Sequence, residues 1–217
     1  PTSAMHNRKR GSISAAKQAA LKERGAQYAA LSRGAMAMRV ARQYDGAALD
    51  ATAKVLGVNP EHYSLWNYRR EILLALHPHG EDEGAVAAEL ELTQAGLTAN
   101  PKSYCVWHHR RWVVTVWAPP SAERLPRELK LCAKLLEMDA RNFHCWGYRR
   151  HLAGVASSPP AAELRFTDAK IGADFSNYSA WHQRAHLRPL LGDGDGLGGT
   201  ARGGAGAGGS AEGVAIV

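Results

Sequence analysis

The sequence predicts an all-α protein, a solenoid of stacked helix pairs. Three observations carry that prediction. First, a tryptophan-centred frame occurs four times, at Trp66, Trp107, Trp146 and Trp181, with spacings of 41, 39 and 35 residues. Spacings of this size mark repeat architectures, in which each unit buries its apolar face against the next. Second, the frame is the same each time. An Asn or Asp stands seven residues before the Trp (Asn59, Asn100, Asp139, Asp174) and an aromatic three before (Tyr63, Tyr104, Phe143, Tyr178). An arginine stands three after (Arg69, Arg110, Arg149, Arg184). A second arginine follows in three frames, Arg70, Arg111 and Arg150, and Ala185 takes its place in the fourth. Third, apolar residues between the frames recur at helical spacing.

The elements follow in chain order. Residues 1–12 read as a disordered basic arm. From Ala15 to Tyr44 good helix formers dominate, so one helix is expected there. Residues 13–191 form the repeat domain. The first helix of repeat one carries Leu49, Thr52, Val55 and Leu56, with Gly57 as its stop. In repeat three Leu125, Leu129, Cys132 and Leu136 form the apolar stripe, and in repeat four Leu164, Thr167 and Ile171, ending at Gly172. The second helix of each pair is expected to start at the shared Asn or Asp, acting as N-cap, with Pro60 and Pro101 at the first helical position. Residues 192–217 are glycine-rich and read as a disordered tail. An Asp193-Gly-Asp195-Gly run there lacks the later ligands of a calcium loop.

Composition narrows the function. The formal charge is +7, but the first 44 residues hold nine Lys or Arg against one Glu. That arm carries +8, and the remainder is nearly neutral. Such an arm suits an acidic partner, an anionic membrane or nucleic acid, or is a solvated helix. No run of 18 apolar residues is present, so no membrane span is expected. Neither a secretory signal nor a paired cysteine framework is read from Cys105, Cys132 and Cys145, and a cytoplasmic location is expected.

The ring stripe of the frames reads as core, filling the space between stacked pairs. The frame arginine reads as a packing residue whose guanidinium bridges carboxylates or carbonyls of a neighbouring repeat. His108 and His109, like His144 and Cys145, are adjacent on a helix and diverge by about 100 degrees, which argues against shared metal ligation. No C-x-x-C or H-x-x-x-H pair is read in the sequence, and no metal site is expected on the chain. No P-loop, nucleophile elbow or dinucleotide fingerprint occurs. Positions that differ between repeats are more informative. Lys102 is matched by Glu61, Arg141 and Ser176, and His144 by Ser64, Cys105 and Ser179. Lys102, Tyr104 and His144 fall near the starts of neighbouring second helices. Together they make either an anion site or ordinary exposed residues beside a cap.

The stretches "NPEHYSLWNYRREIL", "NPKSYCVWHHRRWVV", "DARNFHCWGYRRHLA" and "DFSNYSAWHQRAHL" resemble the repeats of the protein prenyltransferase alpha-subunit family. The resemblance runs from about Met5 to Leu191. Within the family the chain is most similar to the Rab-type branch, geranylgeranyltransferase type II, through "ELKLCAKLLEMDARNFHCWGYRR", "FTDAKIGADFSNYSAWH" and the Met5-His6-x-Arg8 start. Cys105 stands where the branches that read a CaaX box have glutamine, and Phe143 where they have tyrosine.

The resemblance implies a right-handed α-α superhelix, similar to TPR arrays, wrapped around a catalytic beta subunit. That subunit would hold zinc; no cofactor is implied on this chain. The implied reaction moves geranylgeranyl from geranylgeranyl diphosphate to C-terminal cysteines of Rab GTPases, which a Rab escort protein presents. By the same resemblance Lys102, Tyr104 and His144 serve the diphosphate end. Because a free imidazole is a competent zinc ligand, His6 on the arm is read as a visitor to the beta-subunit zinc that competes with substrate. The family's alpha subunits continue for further repeats. A scaffold of half-TPR-like repeats for protein or RNA partners is the alternative, with nucleic acid the less expected partner.

Overall fold

The computed structural model describes residues 14–118, 121–156 and 158–187. After α1 (Ala15–Val40) come four helix pairs: α2 (Gly46–Val58) with α3 (Tyr63–Leu76), α4 (Glu83–Ala99) with α5 (Tyr104–Trp112), α6 (Arg124–Met138) with α7 (Phe143–Val155), and α8 (Pro160–Ala173) with α9 (Tyr178–Leu187). A π-helical turn, Val113–Trp117, prolongs α5. Helix α1 packs on α2 and α3. The second helices touch in series, α3 on α5, α5 on α7 and α7 on α9. Among the first helices only α2 and α4 make comparable contact. The stack therefore curves with the second helices on its inner side.

The frame Asn and Asp do not start the second helices. They end the first ones. Asn59, Asn100, Asp139 and Asp174 are the C-terminal caps of α2, α4, α6 and α8, all in nearly the same extended conformation. In each, Oδ1 accepts the backbone N–H two residues on, at 3.0, 3.1, 3.2 and 2.9 Å. This is an Asx turn, which needs only one acceptor oxygen and so takes Asn or Asp alike. Pro60 and Pro101 sit in the turns. The true N-caps lie three residues later. Ser103 Oγ, Asn142 Oδ1 and Asn177 Oδ1 accept from Val106, Cys145 and Ala180. Gly57 and Gly172, expected as stops, remain helical.

Each frame Trp closes its own turn. The indole N–H donates to the carbonyl six residues back: Pro60, Pro101, Ala140 and Phe175, at 2.8 to 2.9 Å. Two of those carbonyls also accept from the next repeat, Pro101 from Asn142 and Ala140 from Asn177. One turn thus anchors two units. Gly80 is required where it stands: its φ is +59°, and an added Cβ would lie 2.4 Å from the Trp117 carbonyl oxygen.

The frame arginines are the other tie. Arg69, Arg110 and Arg149 are buried and fork onto Glu89, Glu128 and Glu163 of the following repeat. They also donate to the Leu49, Leu90 and Leu129 carbonyls of their own repeat. Arg184 pairs instead with Asp168 on α8. The expected bridging role holds in three repeats, and the pairing is bidentate, which suits a planar guanidinium.

Candidate functional site

The ring stripe divides into two. Trp66, Trp107 and Trp146 are core, whereas Trp181 is partly exposed. The aromatics three residues earlier are not core: Tyr63, Tyr104, Phe143 and Tyr178 are 63, 66, 59 and 83% exposed. Each is the first residue of its second helix. Helical side chains lean toward the N-terminus, so these rings project past the helix end, outside the core. They form a row of rings along one edge.

Lys102, Tyr104 and His144 meet on that edge. The Tyr104 and His144 rings stand edge to face, 4.2 Å between centroids, and Phe143 lies 3.9 Å from His144. Lys102 Nζ is 3.4 Å from Asp139 and largely exposed. Its pairing belongs to the repeat. Glu61 contacts Asn100 and Arg141 contacts Asp174 in the same relation. His144 departs from the repeat. Its counterparts Cys105 and Ser179 donate to the Glu61 and Arg141 carbonyls of the preceding unit. His144 makes no such bond among the described residues and turns its ring onto Tyr104. Its pKa is below the usual histidine value: burial lowers it, Glu61 opposes, and Lys102 lowers it further. The imidazole is therefore neutral near pH 7 and can donate or accept.

Beside this edge runs a groove of about 580 Å³ that includes Tyr104, His108, Arg111, His144, Arg150 and His151. The second frame arginines thus line the inner side. Arg70 lies over the Trp112 ring and donates to Nδ1 of His108 and of His109. Both histidines are held below their usual value, His108 by burial, Arg70 and Arg111, and His109 by burial and Arg70 against the pull of Glu89. Glu89 is lowered, since its bonds from His109 and Arg69 outweigh a large burial cost. The fully buried His109 is thus a neutral donor through Nε2 to a Glu89 carboxylate 2.9 Å away. The groove is cationic through its arginines, not its histidines.

Several residues escaped the sequence reading. Glu89, Glu128 and Glu163 each stand 18 residues before a frame Trp. A longer frame would have found them. No group of three or more His, Cys, Asp or Glu that could hold a metal exists among the described residues. The expectation of no H-x-x-x-H pair is wrong: His182 and His186 are such a pair, four residues apart on α9. His6, Asp193 and Asp195 lie outside the described residues, as do the two terminal segments. Among the described residues no helix is long and apolar enough to cross a membrane.

The repeat geometry defines a class. The segments 46–76, 86–117, 125–154 and 160–188 match the protein prenyltransferase alpha subunit repeat, and the chain belongs to that family. The matched segments coincide with the four helix pairs. It is 42% identical over 167 residues to the geranylgeranyl transferase type-2 subunit alpha of Bos taurus, covering 76% of this chain and 29% of that protein. To the subunit of the same name in Saccharomyces cerevisiae it is 37% identical over 174 residues, 74% of this chain and 50% of that one. The chain thus spans between under a third and half the length of these relatives. A solved structure of Candida albicans protein geranylgeranyltransferase-I complexed with GGPP superposes with a TM-score of 0.64 at 28% identity, covering 74% of this chain and 53% of that one.

Proposed function

We propose that this chain is the repeat part of a Rab-type geranylgeranyltransferase alpha subunit. It would act in the cytoplasm with a catalytic beta subunit, on Rab GTPases presented by a Rab escort protein. Zinc, which activates the substrate cysteine as a thiolate, is assigned to the beta subunit.

The observation that carries the reading is the Lys102–Tyr104–His144 edge. A diphosphate leaving group gains charge as its bond to the isoprenoid breaks. Fixed cations and donors aimed at that charge lower the barrier. Lys102 supplies the cation, Tyr104 the phenol O–H, and neutral His144 an N–H. His144 is spent on no repeat contact, and Phe143 and Tyr104 hold its ring. The exposed ring row and the arginine-lined groove beside it offer the beta subunit an apolar and a cationic surface.

A second reading of Lys102 has its own support. Its pairing with Asp139 repeats the Glu61–Asn100 and Arg141–Asp174 contacts, as expected of a tie between units. The two readings separate in the purified complex with the beta subunit. If Lys102 and His144 serve the leaving group, Lys102→Ala and His144→Ala each lower turnover about tenfold or more, with assembly intact. Asp139→Asn leaves turnover near normal. Unchanged turnover in both alanine variants removes these residues from the site.

A further inference from the structure

We propose that His182 and His186 form a two-histidine site for a late first-row divalent cation, Zn²⁺, Ni²⁺ or Cu²⁺. The two residues are four apart on α9, and so one above the other on the same helix face. Their Nε2 atoms are 3.1 Å apart, with the rings at 89° and centroids 4.5 Å apart.

That separation fits a shared ion. With metal–nitrogen bonds of about 2.05 Å, two ligands at a tetrahedral angle lie about 3.3 Å apart, and two at a right angle about 2.9 Å. The observed distance falls between them. Both residues are exposed, so an ion can enter and keep water in its remaining positions. Neither ring makes another polar contact among the described residues. Among the described residues, Arg184 on the same helix is engaged by Asp168, and Arg150 of α7 lines a groove with His182.

In the metal-free chain one Nε2–H donates to the other Nε2. The ion takes that place once both rings carry their proton on Nδ1. Imidazole donors select late first-row ions over magnesium or calcium. The remaining coordination positions stay open to water or to a side chain of a bound partner. This amends the expectation that the chain carries no metal ligands, and it does not depend on the prenyltransferase reading.

The test is calorimetric titration of the full chain with Zn²⁺, Ni²⁺ and Mg²⁺. It compares the parent with His182→Ala, His186→Ala and the control His79→Ala, all checked by circular dichroism. The expected result is a Zn²⁺ and Ni²⁺ site weakened at least tenfold in both α9 variants, kept in the control, and absent for Mg²⁺. Parent-like Zn²⁺ and Ni²⁺ titration of His182→Ala and His186→Ala overturns the proposal.

Discussion

Replacing Glu128 by alanine tests how the repeats are held together. Glu128 lies on α6 and is buried, as is its partner Arg110 on α5. Its carboxylate accepts from Arg110 Nε at 2.7 Å and Nη2 at 2.6 Å, and from the Tyr148 hydroxyl at 2.7 Å. Burial disfavours the Arg110 charge, yet Glu128 outweighs it and the guanidinium pKa sits above its usual value. Without Glu128 the guanidinium keeps Leu90 O and Thr93 Oγ1, while Nε, Nη2 and the Tyr148 hydroxyl lose their partner. Breaking a buried pair from one side costs about 3–5 kcal/mol. For a domain of this size that lowers the melting temperature by about 6–20 °C. Urea unfolding followed by circular dichroism reads it directly. The double variant Arg110→Met with Glu128→Ala should recover much of the loss, because no buried charge is then stranded. The Arg184–Asp168 pair lies at a more open position, and Asp168→Ala should cost under about 1 kcal/mol. A Glu128→Ala cost as small as that of Asp168→Ala, or a double variant less stable than the single one, refutes the reasoning.

Two further outcomes follow from the same geometry. His109 has a folded pKa below its ordinary value of 6.5, so below that pH the unfolded chain binds more protons. Stability is fully present above about pH 6.5 and is lost as pH falls from there toward the folded value; His108, His144 and His151 act in the same direction. His109→Tyr, which installs the residue found at Tyr68 and Tyr148, should flatten the melting-temperature profile between pH 7 and 5.5, and an unchanged slope would count against His109. Asn142→Ala removes both the cap of α7 and the bond to Pro101 O. It should cost about 2 kcal/mol, one for the cap and one for the bond between repeats, against little for an exposed control such as Lys130→Ala.

The fold was legible because solenoid packing repeats its chemistry. Trp66, Trp107 and Trp146 must fill equivalent gaps, and Arg69, Arg110 and Arg149 must meet equivalent carboxylates. Those needs print a period on the sequence. The helix starts were misread because Asn and Asp serve either end of a helix by the same local acceptor geometry. Only the backbone shows that Asn59 closes α2 while Asn142 opens α7. The aromatics at Tyr63, Tyr104, Phe143 and Tyr178 were misplaced in the core for a related reason. Periodicity gives the face of a helix and not the point where its neighbours stop. The glutamates were missed because they sit on the other helix of the pair, 18 residues from the Trp, beyond the frame that was compared. The proposed site was partly legible. Differences between repeats singled out Lys102 and His144, but Lys102 varies together with its partner Asp139, as a tie between units would. His144 does not make the bond that Cys105 and Ser179 make.

The most direct test is to co-express this chain with the beta subunit of a type-2 geranylgeranyltransferase and isolate what assembles. The account predicts a one-to-one complex that weakens when Tyr104 and Phe143, in the exposed ring row, are both changed to serine. That complex should transfer geranylgeranyl to an escort-bound Rab. Separate elution of the two chains, or a complex indifferent to the loss of both rings, would contradict the placing of the beta subunit on this edge.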